Sequence, residues 1–216
     1  MHRILVYPNQ KHHSRPHLQA WEKDYISRGR LWGGAVVDLP AVPEGSLVLE
    51  LGCGDGKTLV ALPGGCRVVA LDVSSKALRL ARSVRADAAF IQADAGCLPL
   101  RDSSFDAVFA FHVASHLLAD ARRALAAEAA RVLKPGGRLF FRDFSDRDMR
   151  AGGGVEVEPA TFRRGSGIFT HYFTEDEAVA LFCGLRLASV GTHCWKMRIK
   201  GEDHLRAEVQ AAFLKS

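Results

Sequence analysis

A short acidic and glycine-rich turn holds the residues of this chain that are best suited to binding a ligand. Glu50 ends an apolar run, and the turn Gly52–Gly56, G-C-G-D-G, follows it. A second apolar run ends at Asp72, about 20 residues further on. Glycines let a ligand approach the backbone closely, and a carboxylate at the end of the next strand can hold a ribose. This layout is typical of a strand–turn–helix unit that binds a nucleotide.

Two phosphate-binding patterns come close to this turn, and neither is complete. The dinucleotide pattern G-x-G-x-x-G needs a glycine where this chain has Lys57. The pattern G-x-x-x-x-G-K-[ST] matches at Gly56, Lys57 and Thr58, but its first glycine would fall on Leu51. Glu50 would also repel a pyrophosphate, whereas it would attract a ligand that carries an ammonium and a sulfonium.

The segment E-L-G-C-G-D-G resembles motif I of the class I S-adenosylmethionine (SAM) methyltransferases. Later stretches at 92–95, 105–112 and 131–141 follow in the order of that family's further motifs, so the resemblance covers roughly positions 45–143. It implies SAM as cofactor and S-adenosylhomocysteine (SAH) as product, with Asp72 on the ribose and Asp94 on the adenine amino group. The cofactor-binding residues expected on this basis are Trp32, Glu50, Gly52, Cys53, Gly54, Thr58, Asp72, Val73, Asp94, Ala95, Phe111 and His116.

Trp32 and His116 are expected to cover the cofactor. Trp32 stands beside two glycines and His116 follows the fourth core strand, near the expected methyl group. The alternatives are a core aromatic for Trp32 and a hydrogen-bonded wall of the site for His116.

The C-terminal third resembles a narrower group, the methyltransferases that make 3-methylcytidine in tRNA. The stretch L-F-F-R-D-F-S-D-R-D-M at 139–149 is similar to that group's L-x-F-R-D-Y-G-x-x-D-M. R-G-S-G and H-Y-F-T-E-D-E are similar to its R-G-D-G and Y-F-F-T-x-D-E, although Ser166 replaces an acidic residue and His171 an aromatic one. The resemblance implies tRNA as a partner and cytosine N3 as the methyl acceptor.

Four residues are candidates for catalysis. Cytosine N3 has an in-plane lone pair, so it needs placement rather than a strong base. We expect Asp143 to stabilise the positive charge that develops on the ring. Arg142 and Arg164 are expected to hold a phosphate or a base oxygen, the alternative being a structural pair of Arg142 with Asp143. His112 is a candidate general base, and its alternative is a wall of the site.

Alternating strand and helix patterns predict an α/β, Rossmann-like fold with helices on both faces of a mostly parallel sheet. Class I methyltransferases have seven strands that end in an antiparallel hairpin, and strands near 185–194 and 205–213 fit that hairpin. Thr174 and Glu177 predict a capping box. The other predicted elements are strands at 46–51, 67–72, 88–93, 106–111 and 138–143 and helices at 18–25, 56–62, 75–85 and 119–133.

The stretch after the fifth core strand is rich in glycine, arginine and aspartate. Loops of this length are uncommon in compact domains and are often functional, so we predict that 144–173 covers the substrate mouth. The expected division is an N-terminal segment with a cofactor-covering helix at 1–34, and a methyltransferase domain at 35–216 that carries this insertion. The helix at 119–133 is assigned to packing, with Arg122, Arg123 and Glu128 directed outward.

Composition indicates a cytoplasmic α/β protein. The chain has 216 residues, of which 48% are hydrophobic and 25% charged, as in soluble domains with a full core. Neither a membrane span nor a secretory signal is expected. Five cysteines without paired spacing predict free thiols, with no disulfide framework and no metal site. The net charge of +5 permits nucleic acid without requiring it.

Three functions remain consistent with the sequence. The first is an RNA-directed methyltransferase that acts on a base nitrogen, and the arginines of the insertion favour it. The second is a small-molecule methyltransferase with the insertion as a lid, which the lack of a recognisable RNA-binding module favours. The third is a non-enzymatic SAM binder that serves a partner protein, and Glu50, Asp72 and Asp94 count against it. The sequence predicts a SAM-dependent methyltransferase and leaves the acceptor open between tRNA and a metabolite.

Overall fold

The computed structural model describes residues 5–6, 16–30, 38–165 and 167–216. Trp32 and Ser166, which the sequence singles out, lie outside the described residues. The helices are α1 (Pro16–Arg28), α2 (Lys57–Ala61), α3 (Ser75–Arg82), α4 (Ala119–Val132) and α5 (Glu175–Leu181). The strands are β1 (Leu5–Val6), β2 (Leu47–Leu51), β3 (Arg67–Asp72), β4 (Ala89–Gln92), β5 (Phe105–Phe111), β6 (Leu133–Phe144), β7 (Val155–Glu158), β8 (Thr161–Arg163), β9 (Phe169–His171), β10 (Arg186–Ile199) and β11 (Glu202–Leu214).

The main sheet has the order β1-β4-β3-β2-β5-β6-β11-β10 within the described chain. Strands β2 to β6 pair in parallel, and β11 and β10 close the sheet as an antiparallel hairpin. The predicted seven-stranded Rossmann-like sheet is therefore confirmed, and the short β1 adds one parallel strand beside β4. The order in which successive strands are added to the sheet reverses between β2 and β5, although the two strands are parallel. Ligands bind at the carboxyl ends of the strands at such a switch point.

Two apolar cores form because consecutive strand residues point to opposite faces of the sheet. Leu49 and Val108 pack on the face that α4 and α5 cover, whereas Val48 and Phe109 pack on the face that α2 and α3 cover. All four residues are fully buried. Strands that are buried on both faces read as continuous apolar runs, which is why these elements were predictable.

The insertion is a folded unit and not the loop that its glycine content indicated. Strands β7, β8 and β9 form a three-stranded antiparallel sheet. Phe173 attaches this sheet to the core, because its N–H donates to Phe144 O and its carbonyl accepts from Asp146 N. The V-E-V-E alternation at 155–158 was the available signal for the first of these strands.

Arg122 corrects the prediction that α4 directs its charged residues outward. Its side chain is buried, and Nη1 donates to Leu117 O at 2.6 Å. Its Nη2 lies 3.5 Å from Glu158 Oε2, so α4 is tied to the insertion. Glu128 is half-buried and accepts a hydrogen bond from Leu98 N, while Arg123 is exposed as expected.

The C-terminal hairpin is longer than predicted. Strand β11 pairs with β6 only from Glu208 to Leu214, so the residues before Glu208 have β10 as their ladder partner. We call this projecting part, residues 194–207, the hairpin arm.

Across the described ranges, none of the helices combines the length and apolar composition that crossing a membrane requires. The five cysteines are free thiols.

Replacing Thr174 with alanine is expected to destabilise the fold by about 1 kcal/mol, the usual loss for an N-cap. The side chain of Thr174 accepts a hydrogen bond from Glu177 N, and the side chain of Glu177 accepts one from Thr174 N, which completes the predicted capping box. Urea unfolding of Thr174→Ala against Thr174→Ser measures the loss. Equal unfolding free energies for the two variants would show that the cap does not stabilise α5.

Candidate active site

One cavity of about 630 Å³ opens at the carboxyl ends of β2 to β5. The helix α1 and the strands β10 and β11 supply its remaining walls. Trp32 is outside the described residues, and the other predicted cofactor-binding residues all line this cavity: Glu50, Gly52, Cys53, Gly54, Thr58, Asp72, Val73, Asp94, Ala95, Phe111 and His116. The structure thus brings them together, and their individual roles stay predictions.

The glycine turn leaves room for a ligand because side chains are excluded from it. Gly52 and Gly54 have φ angles of 67° and 54°, in the left-handed region that favours glycine. A Cβ at Gly52 would lie 2.7 Å from a methyl of Val113, and one at Gly54 would lie 2.6 Å from Tyr25 Oη. Cys53 between them is small and buried.

Glu50 supplies a buried carboxylate at the start of this turn. Its side chain is 3% exposed, and within the described part of the chain Oε2 has no hydrogen-bond partner. Burial, opposed by a hydrogen bond with Thr58, raises the pKa of Glu50 to about 8. A buried carboxylate with an unsatisfied oxygen is suited to a cationic amino group such as that of SAM. The residues present therefore fit the cofactor that the sequence implies.

Asp72 lies at the end of β3 and is held by backbone groups. Its Oδ2 accepts from Gly54 N at 2.9 Å, and its Oδ1 accepts from Ser74 N at 2.8 Å. Burial, opposed by these hydrogen bonds, raises the pKa of Asp72 to about 6. Each carboxylate oxygen has a second lone pair, so Asp72 can still accept from ribose hydroxyls in the cavity.

Helix α1 covers the cofactor half of the cavity, the part that Glu50, the glycine turn and Asp72 line. Trp21 and Tyr25 line it, and the Trp21 ring stands edge-on to His116 at 4.7 Å. Glu22 fixes the helix by accepting hydrogen bonds from Ser75 Oγ at 3.0 Å and Lys76 N at 3.2 Å, at the start of α3. The sequence predicted a cofactor-covering helix in this segment but named only Trp32 as a covering residue, although the i, i+4 spacing of Trp21 and Tyr25 was the signal for these two.

His112 lies in the acceptor half of the cavity, the part where the methyl acceptor is expected to bind. It has two carboxylate neighbours. Its Nδ1 lies 3.8 Å from Asp143 Oδ1, and its Nε2 lies 3.5 Å from Glu208 Oε2. Burial would lower the pKa of His112, but the interactions with Asp143 and Glu208 outweigh burial and raise it. The side chain is 38% exposed and lines the cavity, with one carboxylate 3.8 Å from Nδ1 and another 3.5 Å from Nε2.

Asp143 does not line the cavity, which corrects its predicted contact with the acceptor. The side chain is completely buried, and it accepts hydrogen bonds from Ser115 N at 2.9 Å and Phe144 N at 3.0 Å. Burial raises its pKa, but the interactions with His112 outweigh this and hold the pKa low. Asp143 therefore acts behind His112, as a charged partner of the imidazole.

The two predicted arginines lie in different pockets. Arg142 lines the cavity, stacks over Phe111 at 4.8 Å and lies 3.3 Å from a Glu208 oxygen, so it does not form the pair with Asp143 that was its alternative. Arg164 lies in a separate surface pocket on the insertion. Its Nη2 donates to Tyr172 Oη at 2.6 Å and to Arg150 O at 2.9 Å, which fixes the insertion. The predicted contact of Arg164 with the acceptor is corrected accordingly.

Sequence reasoning missed most of the acceptor half of the cavity. Its additional wall residues come from the loop before β2, from the insertion side and from the hairpin: Asp38, Phe144, Arg150, His193, Trp195, Met197, Arg206, Glu208 and Gln210. The alternation of polar and apolar residues in β11 predicts a strand but does not show what its polar face contacts. Arg206 and Glu208 are only 9% and 6% exposed, because that face closes the cavity.

The known proteins that this chain resembles in sequence include methyltransferases. Residues 49–141 match the family model described as "Methyltransferase domain". Demethylmenaquinone methyltransferase of Renibacterium salmoninarum is 39% identical over 126 residues, which cover 56% of this chain and 52% of that protein. tRNA N(3)-cytidine methyltransferase METTL2 of Gallus gallus is 30% identical over 161 residues, which cover 67% of this chain and 44% of that protein. The chain thus spans about half the length of the curated relatives it matches.

Solved structures place the fold in the same group. A SAM-dependent methyltransferase from Methanosarcina mazei superposes with a TM-score of 0.64 at 25% identity, over 81% of this chain and 94% of that one. A methyltransferase from Haloferax volcanii, solved in complex with the Trm112 activator, superposes with a TM-score of 0.65 at 22% identity. That match covers 92% of this chain and 90% of the other, and at this identity it shows the fold alone.

Proposed function

We propose that this chain, which carries a class I SAM-dependent methyltransferase domain, methylates a small molecule at an atom that loses a proton to His112. The observation that carries the proposal is the position of His112 between Asp143 and Glu208, on the wall of the cavity. Hydroxyl acceptors gain from a base that removes their proton during methyl transfer, whereas cytosine N3 has no proton to lose.

The cofactor half of the cavity positions the methyl donor. SAM supplies an electrophilic methyl group when it is bound. Glu50 would pair with its ammonium, Asp72 with the ribose hydroxyls and Asp94 with the adenine amino group. Trp21 and Tyr25 on α1 exclude water from this half of the cavity.

The acceptor half moves the proton. The Asp143 carboxylate lies 3.8 Å from Nδ1 of His112, and its charge favours the tautomer that carries the proton on Nδ1. Nε2 is then free to take a proton from the acceptor, and Glu208 at 3.5 Å stabilises the imidazolium that results. Asp143 and Glu208 are thus positioning residues, and His112 is the group that contacts the acceptor.

Asp72→Ala is expected to weaken SAH binding by about 1–3 kcal/mol, the scale of a lost charged hydrogen bond. Calorimetry of SAH binding measures the change. The matched control is Asp106→Ala, which removes a carboxylate that accepts from Leu47 N, at the amino end of β2 and away from the cavity. Unchanged SAH affinity in a folded Asp72→Ala protein would remove Asp72 from the cofactor site.

A base nitrogen of tRNA is the second candidate acceptor. It is favoured by the F-R-D and R-G-S-G stretches and by the 30% identity with METTL2, which extends over 161 residues. Arg147 and Arg163 on the insertion are exposed, and the described residues offer them no ion pair, so they suit phosphate contacts. If the acceptor is RNA, Arg163→Gln should weaken its binding and reduce the salt dependence.

Three further expectations belong to the same proposal. A cytoplasmic location is supported by the five free thiols. A partner protein is suggested by the Haloferax volcanii structure, which is a complex with an activator. The division into a covering segment at 1–34 and a domain at 35–216 is supported by the position of α1 on the cavity.

A further inference from the structure

Two stacks of rings and guanidinium groups line the acceptor half of the cavity. In the first, the His112 ring lies 4.8 Å from the Phe144 ring, and the Arg150 guanidinium lies 4.3 Å from the centre of Phe144. In the second, His193 stacks on Trp195 at 5.5 Å with an interplanar angle of 24°, and the Arg206 guanidinium lies 5.4 Å from the Trp195 ring. The first stack comes from β5, β6 and the insertion, and the second comes from the C-terminal hairpin.

Asp148 joins the two stacks. Its Oδ1 accepts from Arg150 Nε at 2.9 Å, and its Oδ2 accepts from Arg206 Nε at 2.7 Å. The carboxylate is 3% exposed, and its Oδ2 also accepts from Ala207 N, so it is fixed to the hairpin arm. Because one buried carboxylate holds both guanidinium groups, the rings on which they stack are held in place as well.

Each of the three arginines in this region pairs with a carboxylate. Arg150 and Arg206 pair with Asp148, and Arg142 pairs with Glu208. Phosphate recognition needs cations that are available to the ligand, and here each guanidinium already has a carboxylate partner. Phe144 and Trp195 both line the cavity, where their rings can contact a flat, uncharged group.

We propose that these two stacks form an aromatic clamp for a planar, uncharged aromatic alcohol, which is the acceptor of the methyl group. This inference rests on the proposed function and deepens it, because it names the class of acceptor. The hydroxyl proton passes to Nε2 of His112, the hydroxyl oxygen bonds to the methyl carbon, and the electron pair of the broken carbon–sulfur bond stays on sulfur. The products are an aryl methyl ether and SAH.

Trp195 is the specificity-determining residue of the clamp. It stands on the hairpin arm, and the flanking residues Cys194 and Lys196 point to the other side of the strand, where they do not line the cavity. Trp195→Leu keeps an apolar side chain but removes the flat ring, whereas Trp195→Phe retains a ring. Cys194→Ala is the matched control on the same strand.

Binding of 2-naphthol to the SAH-loaded protein, followed by calorimetry, tests the clamp. Trp195→Leu should weaken 2-naphthol binding about tenfold, as expected for loss of a stacking partner together with its apolar contact. Trp195→Phe should recover most of the affinity, and Cys194→Ala should match the wild type. The saturated analogue decahydro-2-naphthol should bind the wild type weakly and should not respond to Trp195→Leu.

The outcomes separate the clamp from the proposed function. Equal binding of 2-naphthol and its saturated analogue, or full 2-naphthol affinity in Trp195→Leu, would overturn the clamp. Tighter binding of cytidine monophosphate than of 2-naphthol would also overturn it, because that ligand is charged. SAH affinity should be the same in all Trp195 variants. A wild-type protein that does not bind SAH would overturn the proposed function. Binding of 2-naphthol and of decahydro-2-naphthol, measured again without SAH, would still test whether the clamp exists.

Discussion

Replacing His112 with asparagine should lower kcat about 100- to 10,000-fold, the usual contribution of a general base, while SAH affinity stays near that of the wild type. Asparagine is the suitable replacement because His112 has a φ of 51°, in the left-handed region that asparagine tolerates better than most residues. Methyl-label transfer gives kcat, and calorimetry gives SAH affinity. The control is His204→Asn on the hairpin arm, since His204 does not line the cavity.

The pH profile distinguishes a base from a structural histidine. The pKa of His112 lies above its usual value of 6.5, because the two carboxylates outweigh burial. A base must be neutral to accept a proton, so kcat should fall as the pH drops through this raised pKa. Glu208→Gln removes one carboxylate and should shift the acid limb to lower pH. An acid limb that persists unchanged in His112→Asn would exclude His112 as the base.

Replacing Glu50 with glutamine should weaken SAH binding about 30- to 1,000-fold, or ~2–4 kcal/mol, as for a buried charge pair that loses one partner. Glutamine keeps the size and removes the charge that would face the ligand ammonium. Methylthioadenosine, which has no amino-acid part, should bind both proteins equally. If Glu50→Gln weakens both ligands alike, the variant has damaged the turn and Glu50 does not hold the ammonium.

Glu50 also predicts a pH dependence of cofactor binding. Its pKa of about 8 means that the carboxyl group is largely protonated at neutral pH. Pairing with an ammonium requires the ionised form, so binding releases this proton, and SAH affinity should rise with pH until about 8. Calorimetry at several pH values measures the slope, which should be absent in Glu50→Gln. A wild-type affinity that is constant between pH 6 and about 8 would contradict this linkage.

The cofactor half of the site was predictable because its determinants are local. Glu50 and Asp72 end buried strands, and the carboxyl ends of neighbouring parallel strands meet at one edge of the sheet. Gly52 and Gly54 could be recognised because the turn requires backbone conformations that other residues avoid. These features depend on spacing within one strand–turn–helix unit, which the sequence displays directly.

The acceptor half depends on pairings between distant segments, so the sequence did not show it. The alternation in β11 predicts a strand, but only its pairing with β10 and with the end of β6 places the polar face on the cavity, where Arg206 and Glu208 are buried. The same pairing buries Asp143 behind His112, since Val209 lies opposite Asp143 in the ladder. The glycines of the insertion concealed a small sheet, because they lie between its strands and around the turn that leads into it.

Transfer of a labelled methyl group from SAM tests the central claim most directly. Wild-type protein and His112→Asn are each incubated with labelled SAM and either a small-metabolite extract or total tRNA. We predict that the wild type labels an aromatic small molecule, that His112→Asn loses this labelling while it still binds SAH, and that tRNA stays unlabelled. Labelling of tRNA but not of the metabolite extract, or full labelling by His112→Asn, would contradict the account.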